Sequence, residues 1–159
     1  MNNNDILRRI RFAFDFSDPQ AVKLFSLDPA SSVTMSKDDF LQRLAKDEDA
    51  DFVACTDIEL CAFLDGLIVH KRGLRDNAPP AVAKPANFHL TKNDILKKLR
   101  IALTFREEDM LETLAEGGTE MSKGELGALF RSPTHKHYRA CGNQVLRNFI
   151  KGLTNRLRD

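Results

Sequence analysis

One stretch occurs twice in this chain, and the recurrence limits the folds available to it. Asn4-Asp5-Ile6-Leu7-Arg8-Arg9-Ile10-Arg11-Phe12-Ala13-Phe14 returns as Asn93-Asp94-Ile95-Leu96-Lys97-Lys98-Leu99-Arg100-Ile101-Ala102-Leu103. On a helix of 3.6 residues per turn, Ile6, Leu7, Ile10, Ala13 and Phe14 share one stripe, and Ile95, Leu96, Leu99, Ala102 and Leu103 do the same. Each copy opens with a polar cap three residues before an acid, Asn2 before Asp5 and Thr91 before Asp94. Both pairs suit the free N–H groups and positive end of a helix.

The repeat extends well past this helix. In the first copy, Ser17-Asp18-Pro19 opens a second helix through Val22, Leu24 and Phe25, and Asp28-Pro29 breaks it. Ser36 with Asp39 opens a third, whose apolar face is Phe40, Leu41 and Leu44. Asp47-Glu48-Asp49-Ala50-Asp51 reads as a solvated loop or turn. Thr56 with Glu59 opens a fourth, striped by Leu60, Phe63, Leu64, Leu67 and Ile68, with Gly73 as its stop. The second copy follows at an offset that shifts once. Met121-Ser122-Lys123 matches Met35-Ser36-Lys37, and Glu125 takes the place of Asp39. Tyr138, Ala140 and Cys141 match Phe52, Ala54 and Cys55. Leu146, Phe149, Gly152, Leu153 and Arg158 match Leu60, Phe63, Gly66, Leu67 and Arg72. So many ordered matches mark a duplication. The fold expected is all-α, with two tandem homologous units of about four helices each packed as one pseudo-symmetric body. The units are expected at 1–73 and 91–159. An Ala/Pro-rich linker at 74–90 is expected to run extended at Ala78-Pro79-Pro80 and Lys84-Pro85-Ala86.

Composition narrows the setting. The chain's 159 residues are 42% apolar and 30% charged, a globular balance. No apolar run approaches the roughly 20 residues of a membrane span, and no signal peptide is apparent at the N-terminus. The three cysteines argue against a disulfide framework and for a reducing, cytoplasmic location. The net charge of +1 conceals opposed halves. Residues 1–73 carry 9 lysines and arginines against 13 acids, a net of −4. Residues 91–159 carry 13 against 9, a net of +4. Such asymmetry points to mutual attraction or to two kinds of partner.

The Asn-Asp-Ile-Leu openings and the Lys-Lys-Leu-Arg-Ile-Ala run at 97–102 carry a family resemblance. So do Phe63-Leu64-Asp65-Gly66-Leu67-Ile68, Lys71-Arg72-Gly73 and Tyr138-Arg139-Ala140-Cys141-Gly142. Over nearly its whole length the chain resembles the YehS-like family, small bacterial proteins with a duplicated domain of unknown function. The resemblance implies a bacterial cytoplasmic protein and transfers no catalytic or binding residue.

The candidate sites therefore come from the residues themselves. Phe12 and Phe16, and their counterparts Ile101 and Phe105, are spaced i, i+4 on the helix face away from the core stripe. A helix apolar on two sides is normally enclosed on two sides, so these four form the expected interaction surface for a protein partner or for self-association. Arg11 and Arg100 flank the stripe and are expected to lay their stems on the core and pair with acids. Gly66 and Gly152, inside helix four, are expected to mark a close helix–helix approach. His135, His137 and Cys141 match no metal-site template, and buried thiols with loop histidines are the reading preferred. No metal or cofactor is expected, and no catalytic constellation is found. From Glu125 to Asp159 no acid intervenes, and Lys136, Arg139, Arg147, Lys151, Arg156 and Arg158 supply a basic face. Such a face either binds nucleic acid through phosphates or complements the acidic unit. The function expected is a non-enzymatic cytoplasmic interaction or regulatory protein, with nucleic-acid binding as the alternative.

Overall fold

The computed structural model describes residues 1–74 and 81–158. Among them are eight helices and no strand. The first unit runs from Met1 to Leu90 and holds α1 (Asn3–Phe14), α2 (Asp18–Leu27), α3 (Lys37–Leu44) and α4 (Asp57–Arg72). The second, from Thr91, holds α5 (Lys92–Leu103), α6 (Glu107–Glu116), α7 (Lys123–Leu129) and α8 (Asn143–Leu157).

The helices start where their caps place them. Full capping boxes close at Asn2 with Asp5, Ser17 with Gln20, Thr56 with Glu59, Thr91 with Asp94 and Ser122 with Glu125. Each satisfies orphan N–H groups of a first turn. The buried faces follow the predicted stripes. Ile6, Leu7, Ile10 and Ala13 of α1 are sealed, as are Leu60, Phe63, Leu64 and Leu67 of α4. Leu41 departs from expectation: it is 43% exposed, and only Phe40 of α3 is fully buried. The third helix is eight residues long and meets the core along a single line.

Within each unit the fourth helix crosses the second through a glycine. A Cβ on Gly66 would lie 1.7 Å from the carbonyl oxygen of Leu24, and one on Gly152 would lie 1.9 Å from that of Thr113. A helix-interior glycine costs about 1 kcal/mol against alanine, and here backbone contact requires it. Around the first crossing, the Phe25 ring packs against Phe63 with centroids 5.4 Å apart and against Phe40 at 6.1 Å.

A buried asparagine ties the first helix to the loop ahead of the fourth. The Asn4 side-chain oxygen accepts from the Cys55 N–H at 2.7 Å, while its amide donates to the carbonyls of Val53 at 3.0 Å and Ala45 at 3.2 Å. Asn93 repeats the arrangement, accepting from Cys141 N–H at 2.8 Å and donating to the carbonyls of Arg139 and Leu129, both at 2.9 Å. A loop without helix or sheet bonds thereby has its backbone satisfied from one side chain.

The chain from 81 to 90 lies with the first unit. Leu90 is buried and donates its N–H to Asp57 Oδ2 at 3.0 Å, and His89 Nδ1 stands 3.2 Å from the same oxygen. The expected extended backbone at Ala78-Pro79-Pro80 falls outside the described residues.

The glycine crossings and the Asp57 contacts each have a measurable consequence. Gly66→Ala, or Gly152→Ala, forces a methyl group into a carbonyl oxygen, so thermal or urea unfolding should register a loss of about 3 kcal/mol or more. For Asp57, burial pushes the carboxyl up, but hydrogen bonds from Asn3 and the Leu90 N–H, together with His89, outweigh that and hold it below the ordinary 3.8. A depressed carboxyl contributes stability above its unfolded pKa and loses it as pH falls through the folded value. Asp57→Asn should therefore be less stable than the parent at neutral pH. The gap should close as denaturation midpoints are measured downward through pH 3.8.

Candidate functional site

The four residues expected to form an interaction surface lie at the C-terminal end of the first helix of each unit, Phe12 and Phe16 at α1 and Ile101 and Phe105 at α5. The i, i+4 placement predicted for Phe12 and Phe16 does not survive, because α1 ends at Phe14. Asp15 adopts the left-handed conformation at φ 56°, and the Phe16 N–H returns to the Arg11 carbonyl at 3.2 Å. This is a Schellman closure, made here without glycine. In the second unit Thr104 stands at φ 55°, and the Phe105 N–H returns to Arg100 at 3.1 Å. Phe16 and Phe105 therefore leave the helical face and fold back toward the fourth helix of their own unit.

In the first unit this gathers a small aromatic and basic patch. The Phe16 ring stacks on Phe14 at 5.5 Å and meets His70 edge-on at 5.7 Å, and the Lys71 ammonium sits 5.5 Å from the centre of Phe14. On the other side of α1, Phe12 is 54% exposed. In the second unit Phe105 packs against Phe149 at 6.5 Å, and the Arg156 guanidinium lies 5.5 Å above its ring. Ile101 and Leu103 are half-buried, and Leu157 at the end of α8 is exposed. Arg156 occupies the position of His70, so each patch pairs an aromatic ring with a nitrogen-bearing side chain. Sequence marks Phe14 only as core and gives His70 and Lys71 no place in a site, and the non-glycine turn that collects them gives no sequence signal.

Arg11 and Arg100 hold the helix ends. Arg11 pairs with Asp18 at 2.8 Å, as expected. Arg100 has a different partner: its Nε donates to the Phe105 carbonyl at 3.2 Å, and its guanidinium covers Phe130 at 4.8 Å.

The basic face of the second unit divides by contact. Arg156 is engaged with α6: it donates to Thr113 Oγ1 at 2.9 Å and reaches Glu112 at 3.9 Å. Arg139 pairs loosely with Glu125 at 3.5 Å, both exposed. Arg147 donates to Gln144 along its own helix at 3.0 Å. Lys136, Lys151 and Arg158 are exposed.

The thiols are placed as structural groups. Burial pushes Cys55 up to about 12 and Cys141 up to about 11, which keeps both protonated at neutral pH and suppresses nucleophilic chemistry. Their sulfurs contact the carbonyls of Thr56 and Gly142 at 3.7 and 3.6 Å. His135 and His137 stand with ring centroids 5.6 Å apart in an exposed loop. Among the described residues no group of three or more His, Cys, Asp or Glu is disposed to hold a metal ion, and no helix is long and apolar enough to cross a membrane.

Comparison with known proteins matches the same two segments. The family described as "Protein of unknown function (DUF1456)" matches residues 3–73 and again 92–159. The chain is 36% identical to "Uncharacterized protein YehS" of Escherichia coli (strain K12) over 156 residues, covering 98% of this chain and 96% of that protein. No solved structure matches. Both units fall within the family match and the relative is covered almost end to end, so the chain belongs to this YehS-like family of duplicated helical domains.

Proposed function

We propose that this chain is a non-enzymatic interaction or regulatory protein of the cytoplasm. Its partner surface is built from Phe12 and Phe16 in the first unit and from Ile101 and Phe105 in the second. The observation that carries the reading is Phe12, a large aromatic 54% exposed on the side of α1 away from its buried stripe. Aromatic side chains are enriched at protein–protein interfaces over the rest of the surface. The test is Phe12→Lys, which places a cation where the helix dipole accepts one. Unfolding stability should change by no more than about 0.5 kcal/mol. Proteins captured by the parent from an Escherichia coli lysate should be lost from the variant. Capture unchanged by Phe12→Lys would refute the surface.

A second reading rests on a separate observation. Lys136 and Lys151 are exposed, and Arg147 donates to the neutral Gln144 and has no ion pair among the described residues. These cations are available to neutralise phosphates, in which case affinity for fluorescent DNA or RNA falls steeply with salt. The double variant Arg147→Glu/Lys151→Glu should then abolish binding while keeping its helical circular dichroism. Absence of binding at low salt would eliminate this reading.

A further inference from the structure

Helix α7 carries two exposed glycines one turn apart on its outward side, Gly124 and Gly127. Unlike Gly66 and Gly152, neither is required by packing. A Cβ on Gly127 meets nothing within 4 Å, and one on Gly124 meets only its own cap hydroxyl, Ser122 Oγ, at 4.0 Å. Neither has the positive φ that favours glycine. Helix propensity alone would place alanine at both positions. The result is a strip of bare helix backbone with exposed Lys123 at its start, Arg139 held beside it through an N–H bond to the Ala128 carbonyl and set against Glu125, and exposed Arg131 and Lys136 in the loop that follows.

The first unit carries the reverse relief at the matching positions. Gly124 and Gly127 correspond to Asp38 and Leu41, and Arg139 corresponds to Val53. Leu41 is 43% exposed and Val53 36%. An open groove of about 540 Å³ runs beside α3, lined among others by Asp38, Leu41, Gln42, Ala45, Asp49 and Asp51. Asp47 and Glu48 stand exposed next to it. One unit thus offers a concave, acidic surface with an apolar wall, and the other a bare helix ridge with a basic border.

We propose that the α7 ridge of one copy docks into the α3 groove of a second copy. The second copy is identified as the occupant by complementarity of both charge and shape. The acidic border meets the basic border, and the protruding Leu41 meets backbone that carries no side chain. The two surfaces differ, so the contact is heterologous; each added copy leaves a groove at one end and a ridge at the other, and growth ends only if a ring closes. Charge pairing across it is screened by salt. This surface is separate from the aromatic patch of Phe12 and Phe16, and neither proposal requires the other.

The test is light scattering or sedimentation of the full chain over a concentration series, at about 20 mM and about 500 mM NaCl. The expected result is a mass that rises with concentration at low salt and returns to the monomer value at high salt. Asp47→Lys/Asp49→Lys/Asp51→Lys and Lys123→Glu/Lys136→Glu should each remain monomeric alone, and their mixture should associate. Gly127→Gln should weaken association at least about tenfold with an equal or higher melting temperature, since glutamine favours the helix and only a docked partner excludes it. A monomer at every concentration in low salt overturns the proposal, as does association that survives Gly127→Gln. Association abolished by Phe12→Lys but untouched by the loop reversals assigns the contact to the aromatic patch and equally overturns it.

Discussion

Each unit is organised around a place where two helices touch through bare backbone. The crossing of α4 over α2 at Gly66, and of α8 over α6 at Gly152, brings a helix axis against a carbonyl oxygen with no room for one methyl group. The close approach lets Phe25 reach Phe63 on one side and, in the second unit, sets Arg156 within reach of Thr113 on α6. The second unit adds another such point, where a Cβ on Gly117 would lie 1.7 Å from the Asn148 carbonyl. With the second and fourth helices fixed this way, the first need only be tied to the loop between the third and the fourth. Asn4 and Asn93 do that. Each uses one amide to serve an N–H and at least two carbonyls that have no ladder of their own. Removing such an amide would strand several buried groups, at about 1–3 kcal/mol for each one left unsatisfied.

Most of the fold is legible in the sequence because its signals are local. A capping box needs four residues and a buried stripe needs three turns, so helix starts and core faces emerge from spacing alone. The glycines of helix four are legible in part: their cost is visible in sequence, and close approach is its usual cause. What escapes depends on atoms far apart in the chain or on backbone conformations that leave no mark. The i, i+4 spacing of Phe12 and Phe16 misleads because Asp15 turns left-handed, a conformation normally associated with glycine that Thr104 adopts as well. The role of Asn4 is hidden, since its partners lie 41 to 51 residues away. Leu41 looks like core only if α3 has the broad apolar face of a longer helix.

The duplication separates what the fold requires from what it leaves free. Three positions that meet backbone keep their residue in both units: Asn4 and Asn93, Gly66 and Gly152, and Cys55 and Cys141, whose N–H groups the asparagines hold, whereas the close approach at Gly117 belongs to the second unit alone. A backbone partner has a fixed position and chemistry, so few side chains can replace the one that meets it. Outward positions obey no such rule. Between the two copies Asp49 becomes His135, Val53 becomes Arg139, and Leu41 becomes Gly127.

The turn after the first helix falls between these classes. Phe16 and Phe105 are both phenylalanine, and both rest on helix four, yet the ring partners differ, His70 in one unit and Arg156 in the other. Core packing alone does not explain a nitrogen-bearing side chain against a half-buried ring in both units, because an aliphatic residue would cover the ring as well. In the second unit the contact is a cation–aromatic pair, and in the first it is an edge-on contact between two rings. The α3 and α7 faces differ between units, whereas this pairing recurs with altered chemistry, so the two units present one repeated surface and one that is reversed in charge and relief.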